Sequence, residues 1–289
     1  MKIELSFPIT TKSIALNFLH QAIEDHAAFQ QTSLVNQPTG QVSKQRIKQL
    51  MDKGAIWLSN RHGTHRLRRV KKILWPGEVV HLYYNAKVLD MICPNPKLIA
   101  DFGVYSVWDK PSRMLSQGSK YGDHCAINRW VEKTLKRNTF LVHRLDRGAQ
   151  GLLILAHHKS AAAKLAALFR QRTIIKKYLV WVEGQLDLQA HLIDSPVDGK
   201  NAETLIQRCQ FHADRSMTLL DVQIKTGRKH QIRRHLAELG HPVVGDRLYG
   251  YQPMTNANDD LKLKSYYLAF DCPITLKRQE FQLDQDEFN

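Results

Sequence analysis

The sequence predicts an α+β fold in two parts, residues 1–88 and 89–289. Two observations carry this. Short stretches with apolar residues at helical spacing are interleaved with strand-like apolar runs. Between the two parts, Cys93-Pro94-Asn95-Pro96-Lys97 has the composition of a linker. A chain of 289 residues can hold one large domain or two smaller ones, with ample core.

In the first part, Ile14, Leu16, Phe18, Leu19, Ala22 and Ile23 give a mostly helical pattern. The polar stretch from Gln30 to Gln41, with Pro38 and Gly40, reads as a loop. Ser43 is placed to cap a short helix that keeps Ile47, Leu50 and Met51 on one face, and Gly54 stands where that helix should stop. Ala55–Leu58 reads as a strand, and Trp75–Tyr84 as a turn followed by a second strand. Between Gln41 and Trp75, Lys44, Arg46, Lys48, Lys53, Arg61, Arg66, Arg68, Arg69, Lys71 and Lys72 stand against one acid, Asp52. A solvated basic face is the plain reading. So lopsided a run repels itself unless an anion meets it, and phosphate contact through residues such as Lys44, Arg46, Arg68 and Arg69 is the expectation.

In the second part, Leu98 to Trp108 reads as one or two strands leading into Asp109-Lys110-Pro111, and residues 116–138 as a loop and a helix ending in Lys133 to Lys136. Leu152–Leu155 is a buried strand entered from turn residues. Ser160 is expected to cap a helix carrying Leu165, Leu168 and Phe169, with Arg170 and Arg172 suited to its C-terminal dipole. Ile174–Val182 is a strand, residues 185–223 are strand-rich, and Ile232, Leu236 and Leu239 share a helical face that Gly240 ends. Residues 253–263 read as a polar loop, Leu268–Phe270 as a strand, and the acidic tail from Glu280 as frayed.

The net charge of +15 favours a polyanionic partner, most commonly nucleic acid. An anionic membrane surface is the rival, but no segment approaches the roughly eighteen consecutive apolar residues of a membrane span. Met1–Leu5 lacks the apolar core of a secretory signal, so a cytoplasmic location is expected. Cys93, Cys125, Cys209 and Cys272 lie far apart without a Cys-x-x-Cys pair, which argues against a structural zinc or a disulfide framework. His157-His158, and the pair His230 and His235, read as strand-end and helix residues. No metal and no cofactor are expected.

The chemistry centres on His143-Arg144-Leu145-Asp146-Arg147-Gly148-Ala149-Gln150-Gly151-Leu152-Leu153. One acid between two arginines precedes a turn and a buried strand. A carboxylate there can be a nucleophile, a general base or one half of a surface ion pair. This stretch resembles the signature of the RluA family of RNA pseudouridine synthases, which usually carries Asp-Thr-Ser or a close variant where this chain has Gly148-Ala149-Gln150. Two later stretches resemble the same family in the same order: Lys176-Lys177-Tyr178-Leu179 running to Gly184, and Lys225–Leu236 running through Gly240–Asp246 to Tyr249-Gly250. Together they cover about residues 100 to 270. In the first part, Ser43-Lys44-x-Arg46-Ile47 to Gly54, a strand, and then Leu74–Val80 resemble an S4 RNA-binding domain. The usual Asn-Gly turn of that domain is replaced here by a longer basic stretch, Asn60 to Thr64.

The resemblance implies a pseudouridine synthase fold, a mixed and largely antiparallel sheet with flanking helices, preceded by a small S4-like α/β domain. It implies a monomer that isomerises uridines in structured RNA, with ribosomal RNA favoured and transfer RNA possible. That reaction breaks the bond from uracil N1 to ribose C1′ and joins C5 to the same carbon, without redox agent or metal. It makes Asp146 the nucleophile, pairs Arg233 with it, and sets Tyr178 and Ile232 beside the target base. It also puts Lys110 near the active site, Arg228 against RNA, and Arg144 either in the gap left by the flipped nucleotide or on a phosphate. Two other readings stand beside it. One is an RNA-binding or ribosome-assembly protein that has lost its chemistry, which the altered Gly148-Ala149-Gln150 favours and the retained Asp146, Tyr178 and Arg233 oppose. The other is a carboxylate-dependent hydrolase, which needs a second carboxylate that only folding could bring to Asp146.

Overall fold

Apolar residues at every second position, Ile3, Leu5 and Phe7, make Lys2–Pro8 a strand, β1. It was legible from that alternation and is absent from the expectations above. The computed structural model describes residues 2–26, 42–250, 260–285 and 288; the expected loop at 30–41 and most of that at 253–263 lie outside them. Two units result: the described residues of Met1–Cys93 with Gln117–Arg129, and those of Pro94–Ser116 with Trp130–Asn289. No helix among the described residues is long and apolar enough to cross a membrane.

The first unit continues with β2 (Ser13–Ile14), α1 (Ala15–Glu24), α2 (Lys44–Lys53), β3 (Ile56–Asn60), β4 (Gly63–Arg66), β5 (Ile73–Leu74), β6 (Val79–Asn85) and the single turn α3 (Ala86–Leu89). An antiparallel sheet has the order β1-β6-β3-β4, and β2 pairs with β5. Leu19 and Ile23 of α1 and Ile47, Leu50 and Met51 of α2 share one core with Ile56, Leu58, Val80 and Leu82 of the sheet. The caps follow the sequence: the Ser43 hydroxyl accepts from the Gln45 N–H at 3.2 Å, and Gly54, at φ 81°, ends α2.

Three expectations need correction in this unit. The stretch Asn60 to Thr64 is a hairpin with only Arg61 and His62 in its turn, stabilised by the Asn60 side chain accepting from the His62 N–H at 2.9 Å. Arg68 is not a free phosphate contact: its guanidinium donates to Asp123 at 2.5 Å and to the Asp52 carbonyl at 2.7 Å. Arg66 also pairs with Asp123, at 3.0 Å. Lys44, Arg46 and Arg69 remain exposed. Finally, Cys93 and Cys125 form a disulfide across 32 residues, because the chain returns at 117–129 to the unit it left at Cys93. Linear spacing says nothing about such a return.

The second unit contains β7 (Lys97–Asp101), β8 (Tyr105–Lys110), α4 (Ile127–Leu135, from Trp130 onward), β9 (Phe140–Leu141), β10 (Gln150–Ala156), α5 (Lys159–Gln171), β11 (Ile175–Glu183), β12 (His191–Ile193), β13 (Thr204–His212), β14 (Met217–Ile224), α6 (Gln231–Glu238), β15 (Leu263–Asp271) and β16 (Arg278–Gln282). Its main sheet runs β12-β13-β14-β11-β15-β10-β8-β7, with β16 beside β15 and β9 beside β10. All pairings are antiparallel except β10 with β15. Tyr105, Val107, Leu152, Ile154, Leu268 and Phe270 pack with Ala161 and Leu165 of α5. Trp108, of opposite parity on β8, meets Trp130 of α4 edge to face, with ring centroids 5.7 Å apart.

Ser160 does not cap α5. His157 is held by Ser106 and Asn138, so His158 takes the extended cap position without a side-chain cap bond. The tail is not frayed at Glu280, which lies within β16 and accepts from the Tyr267 hydroxyl at 2.7 Å.

Two irregularities shape the middle of this sheet. Opposite Lys177 and Tyr178 of β11, strand β15 skips from Tyr267 to Ser265, a bulge that leaves Tyr266 as the extra residue. On the other side of Ser265 lies Gly151, at φ 110°, where an added Cβ would stand 2.2 Å from the Ser265 carbonyl oxygen. Only glycine gives both this backbone angle and this approach. Gly151→Ala should therefore lose about 1–2 kcal/mol to backbone strain and about 1–3 kcal/mol more to overpacking. Urea unfolding at neutral pH checks this, and no loss of midpoint would contradict it.

Candidate active site

The loop before β10 is fixed by its own side chains. His143 turns inward, its Nε2 accepting from the Ile154 N–H at 2.9 Å and its ring stacked on Phe169 at 4.3 Å. Burial, helped by nearby Lys176, pulls this imidazole down to about 3, so it stays neutral and keeps the lone pair that Ile154 uses. The Ser116 hydroxyl accepts from the Leu145 N–H at 3.0 Å and donates to the Leu145 carbonyl at 2.7 Å. Ser112 donates to the Gly148 carbonyl at 2.9 Å. With Leu145 buried and its backbone clamped, Arg144 is left exposed and Asp146 lines a cleft.

Arg233, in the first turn of α6, aims that carboxylate. Its Nε and Nη2 each reach an oxygen of Asp246 at 2.7 Å, and its Nη1 reaches Asp146 Oδ2 at 3.2 Å. The Asp246 side chain is fully buried, and its Oδ1 also accepts the N–H groups of Leu248 and Tyr249. Burial alone would raise Asp246. The Arg233 guanidinium and the two backbone donors outweigh it and hold the carboxyl below its usual range. Folding thus brings a second carboxylate close, but one already bound on both oxygens.

The other oxygen of Asp146 faces His230, with Nε2 3.8 Å from Oδ1. His230 is not a helix residue as expected; it is the cap before α6, in the left-handed region at φ 56°. The Tyr249 hydroxyl accepts from Arg234 Nε at 3.0 Å, which leaves its own proton for His230 Nδ1 at 3.1 Å. That bond sets the tautomer with N–H on Nε2, toward Asp146. Burial lowers His230, against the attraction of Asp146, which favours the neutral ring. Arg234 is in turn anchored by Asp198 at 2.6 Å.

Tyr178 enters the cleft from β11 at the bulge. Burial, reinforced by the Asp146 charge, pushes its phenol up to about 12, so it keeps its proton at neutral pH. The cleft holds about 710 Å³ and contains Arg144, Arg170, Arg172, Lys176, Arg228, Lys229 and Arg233, with Asp146 its single acid. Burial, with Arg172 nearby, draws Lys176 down to about 8. Ile232, largely buried, adds an apolar wall.

Six of the expected site residues therefore come together: Asp146, Tyr178, Arg233, Arg144, Arg228 and Ile232. Lys110 does not join them. It is fully buried and donates to the carbonyls of Pro111 and Met114 at 3.0 and 2.8 Å, beyond the reach of an RNA phosphate. Burial draws its ammonium down to about 7, against the pull of Asp146 and Asp109. Ser116, His230, Asp246 and Tyr249 were missed. The last three stood inside the third motif, but a pattern match gives no partner for any of them.

Residues 104–238 match the family model described as RNA pseudouridylate synthase, a segment that includes Asp146, Tyr178 and Arg233. An Aquifex aeolicus protein named an uncharacterized RNA pseudouridine synthase is 32% identical over 51% of this chain and 53% of its own length. A Bacillus subtilis protein of the same description, YjbO, is 30% identical over 55% of this chain and 61% of its own. This chain thus spans less than two thirds of the length of both. The solved structure of human RNA pseudouridylate synthase domain containing 1 superposes with a TM-score of 0.56 at 20% identity, over 66% of this chain and 84% of that one. The human domain containing 4 protein gives 0.53 at 20%, over 65% and 88%. The fold is that of pseudouridine synthases.

Asp246→Asn should expose the cost of breaking a buried pair, about 3–5 kcal/mol, because it leaves the Arg233 charge with only its longer contact to Asp146. Since the folded carboxyl lies below its unfolded value, its contribution is complete above the unfolded value and is lost as pH falls through the folded one. The variant should therefore lose stability less steeply than the parent on acidification below about pH 4. Urea midpoints across a pH series check both; parallel curves would refute the linkage.

Proposed function

We propose that this chain is an RNA pseudouridine synthase of the RluA type whose N-terminal unit is an S4-like RNA-binding domain. One observation carries the reading: a cationic cleft holds one carboxylate, Asp146, aimed by Arg233 and flanked by Tyr178. A cleft of such charge suits a nucleotide with its flanking phosphates, and its volume is in the range of small-ligand sites. The target uridine leaves its helix and lies with its base between Tyr178 and Ile232, since an aromatic face offers stacking to any base. Arg144 takes the vacated place or a phosphate, and Arg228, donating to the Asn201 carbonyl at 2.9 Å, holds the backbone.

Three routes are open to Asp146: bonding to ribose C1′, bonding to uracil C6, or removing a ribose proton. Each needs a positioned carboxylate with a lone pair free toward the nucleotide. Arg233 serves all three, because it binds one oxygen and is itself immobilised by Asp246. Tyr178 acts as a protonated hydroxyl, able to donate to a base oxygen or return a proton. The hydrolase reading loses ground here, since Asp246 has no free oxygen to activate water. Against a chemically silent protein stands the meeting of Asp146, Tyr178 and Arg233 in one cleft. Ribosomal RNA is the favoured substrate and transfer RNA the other, in the cytoplasm, with the protein a monomer.

Incubation with RNA followed by carbodiimide labelling and mass spectrometry should detect pseudouridine with the parent protein and none with Asp146→Asn, at similar RNA affinity. Product from the purified variant would remove Asp146 from its role. Tyr178→Phe should bind as the parent does and turn over slowly, while Tyr178→Ala should also lose about 1–3 kcal/mol of stacking. An alanine variant with unchanged affinity and rate would exclude the packing role.

Exposed and paired cations of the first unit should behave differently. Replacing Lys44, Arg46 and Arg69 together by Gln should flatten the log–log salt dependence of RNA binding by roughly 2–3, at about 0.7–0.9 per phosphate lost. Arg68→Gln should instead lower the unfolding midpoint, since it removes a partner of Asp123. An unchanged salt slope in the triple variant would end the S4-like assignment.

A further inference from the structure

We propose that Cys93, His124 and Cys125 form a binding site for a thiophilic divalent cation of the zinc class, open in the dithiol form and closed by the disulfide. This inference is independent of the activity proposed above. The two sulfurs and a ring nitrogen of His124 lie within 4.8 Å of one another, a separation that one ion can span. Sulfur and imidazole donors in that ratio suit zinc, which accepts Cys₂His with a fourth position left to water.

The orientation of His124 is the second observation. Its Nε2 lies 3.2 Å from the Met91 carbonyl, and since a carbonyl only accepts, Nε2 carries the proton. The lone pair of the neutral ring is then on Nδ1. A histidine that ligates a metal characteristically donates its other N–H to a backbone carbonyl or carboxylate, which holds ring and tautomer in place. The same carbonyl lies 3.4 Å from Cys125 Sγ, so the His124 ring and that sulfur stand around one backbone oxygen. Cys125 is buried and Cys93 partly exposed, so Cys93 is the sulfur a small reductant reaches.

The redox step balances with a small dithiol as reductant. One thiolate of the dithiol attacks Cys93 Sγ, the S–S bond breaks, and the electron pair leaves on Cys125 Sγ. The second thiol of the reductant then displaces Cys93, yielding a cyclic disulfide and two protein thiols. Binding of the cation to these thiols releases two protons. In reverse, an azo oxidant takes two electrons from the bound thiolates and two protons from water, the S–S bond re-forms, and the cation departs.

Cobalt(II) is the probe, because thiolate ligation gives it charge-transfer absorption in the near ultraviolet. The full chain is reduced with a dithiol, desalted without oxygen, and titrated with cobalt(II). Thiols counted after denaturation should rise from two, Cys209 and Cys272, to four on reduction. One equivalent of cobalt(II) should then give the thiolate band, zinc(II) should displace it, and the azo oxidant diamide should abolish it in the unmodified protein. Cys93→Ser and Cys125→Ser should lose the band, His124→Ala should weaken binding at least tenfold, and Cys209→Ser should keep the band intact. A thiol count that stays at two, a reduced protein without the band, or a band that persists in Cys93→Ser would each overturn the proposal. The diamide arm needs no substitution, so it decides the matter even where a variant fails to fold.

Discussion

Everything in the cleft depends on one guanidinium shared by two carboxylates. Arg233 spends two of its donors on Asp246 and turns a third toward Asp146. Alone, a buried arginine would be costly; tied in a fork to Asp246 it becomes a rigid, charged support. The division of labour follows from environment. Asp246 is sealed, with both oxygens used, whereas Asp146 keeps partial exposure and a looser tie. Two chemically identical side chains therefore stand as a sealed brace and as an accessible carboxylate.

The sheet supplies the aim for the remaining parts. Gly151 allows β10 and β15 to approach in parallel beside Ser265, and the bulge next to it sets how Tyr178 leaves β11. The Asp146 loop opens directly into β10, so the carboxylate and the phenol inherit their positions from strands on either side of β15. A second chain of contacts, from Asp198 through Arg234 and Tyr249 to His230, sets an N–H opposite the free side of Asp146. The left-handed backbone at His230 costs on the order of 1 kcal/mol or more, and this network is what holds it there.

Charge has two different uses in this protein. In the cleft, cations gather around one acid, and desolvation has lowered Lys176 and, beneath the loop, Lys110. In the first unit, the basic run divides: Arg66 and Arg68 fold inward onto Asp123, while Lys44, Arg46 and Arg69 face solvent. A count of charges along the chain treats these as equivalent. Only the outward group is available to a polyanion.

The sequence by itself determined the local structure and the identities of the central residues. Ser43 and Gly54 bounded their helix because caps act within a turn, and the resemblance of three ordered motifs to a known family pointed to Asp146, Tyr178 and Arg233. What only the tertiary structure decided was pairing across distance. Asp246 as the brace of Arg233, Ser116 as the clamp of Leu145, His230 beside Asp146, and Cys93 joined to Cys125 all depend on where separate strands and loops meet. The burial of Lys110 was equally out of reach, since a lysine in a motif reads as a surface cation until its neighbours are known. The physical reason is common to all of them. Capping and periodicity are short-range properties of the backbone, whereas burial, ion pairing and tautomer are set by groups that the chain brings together only on folding.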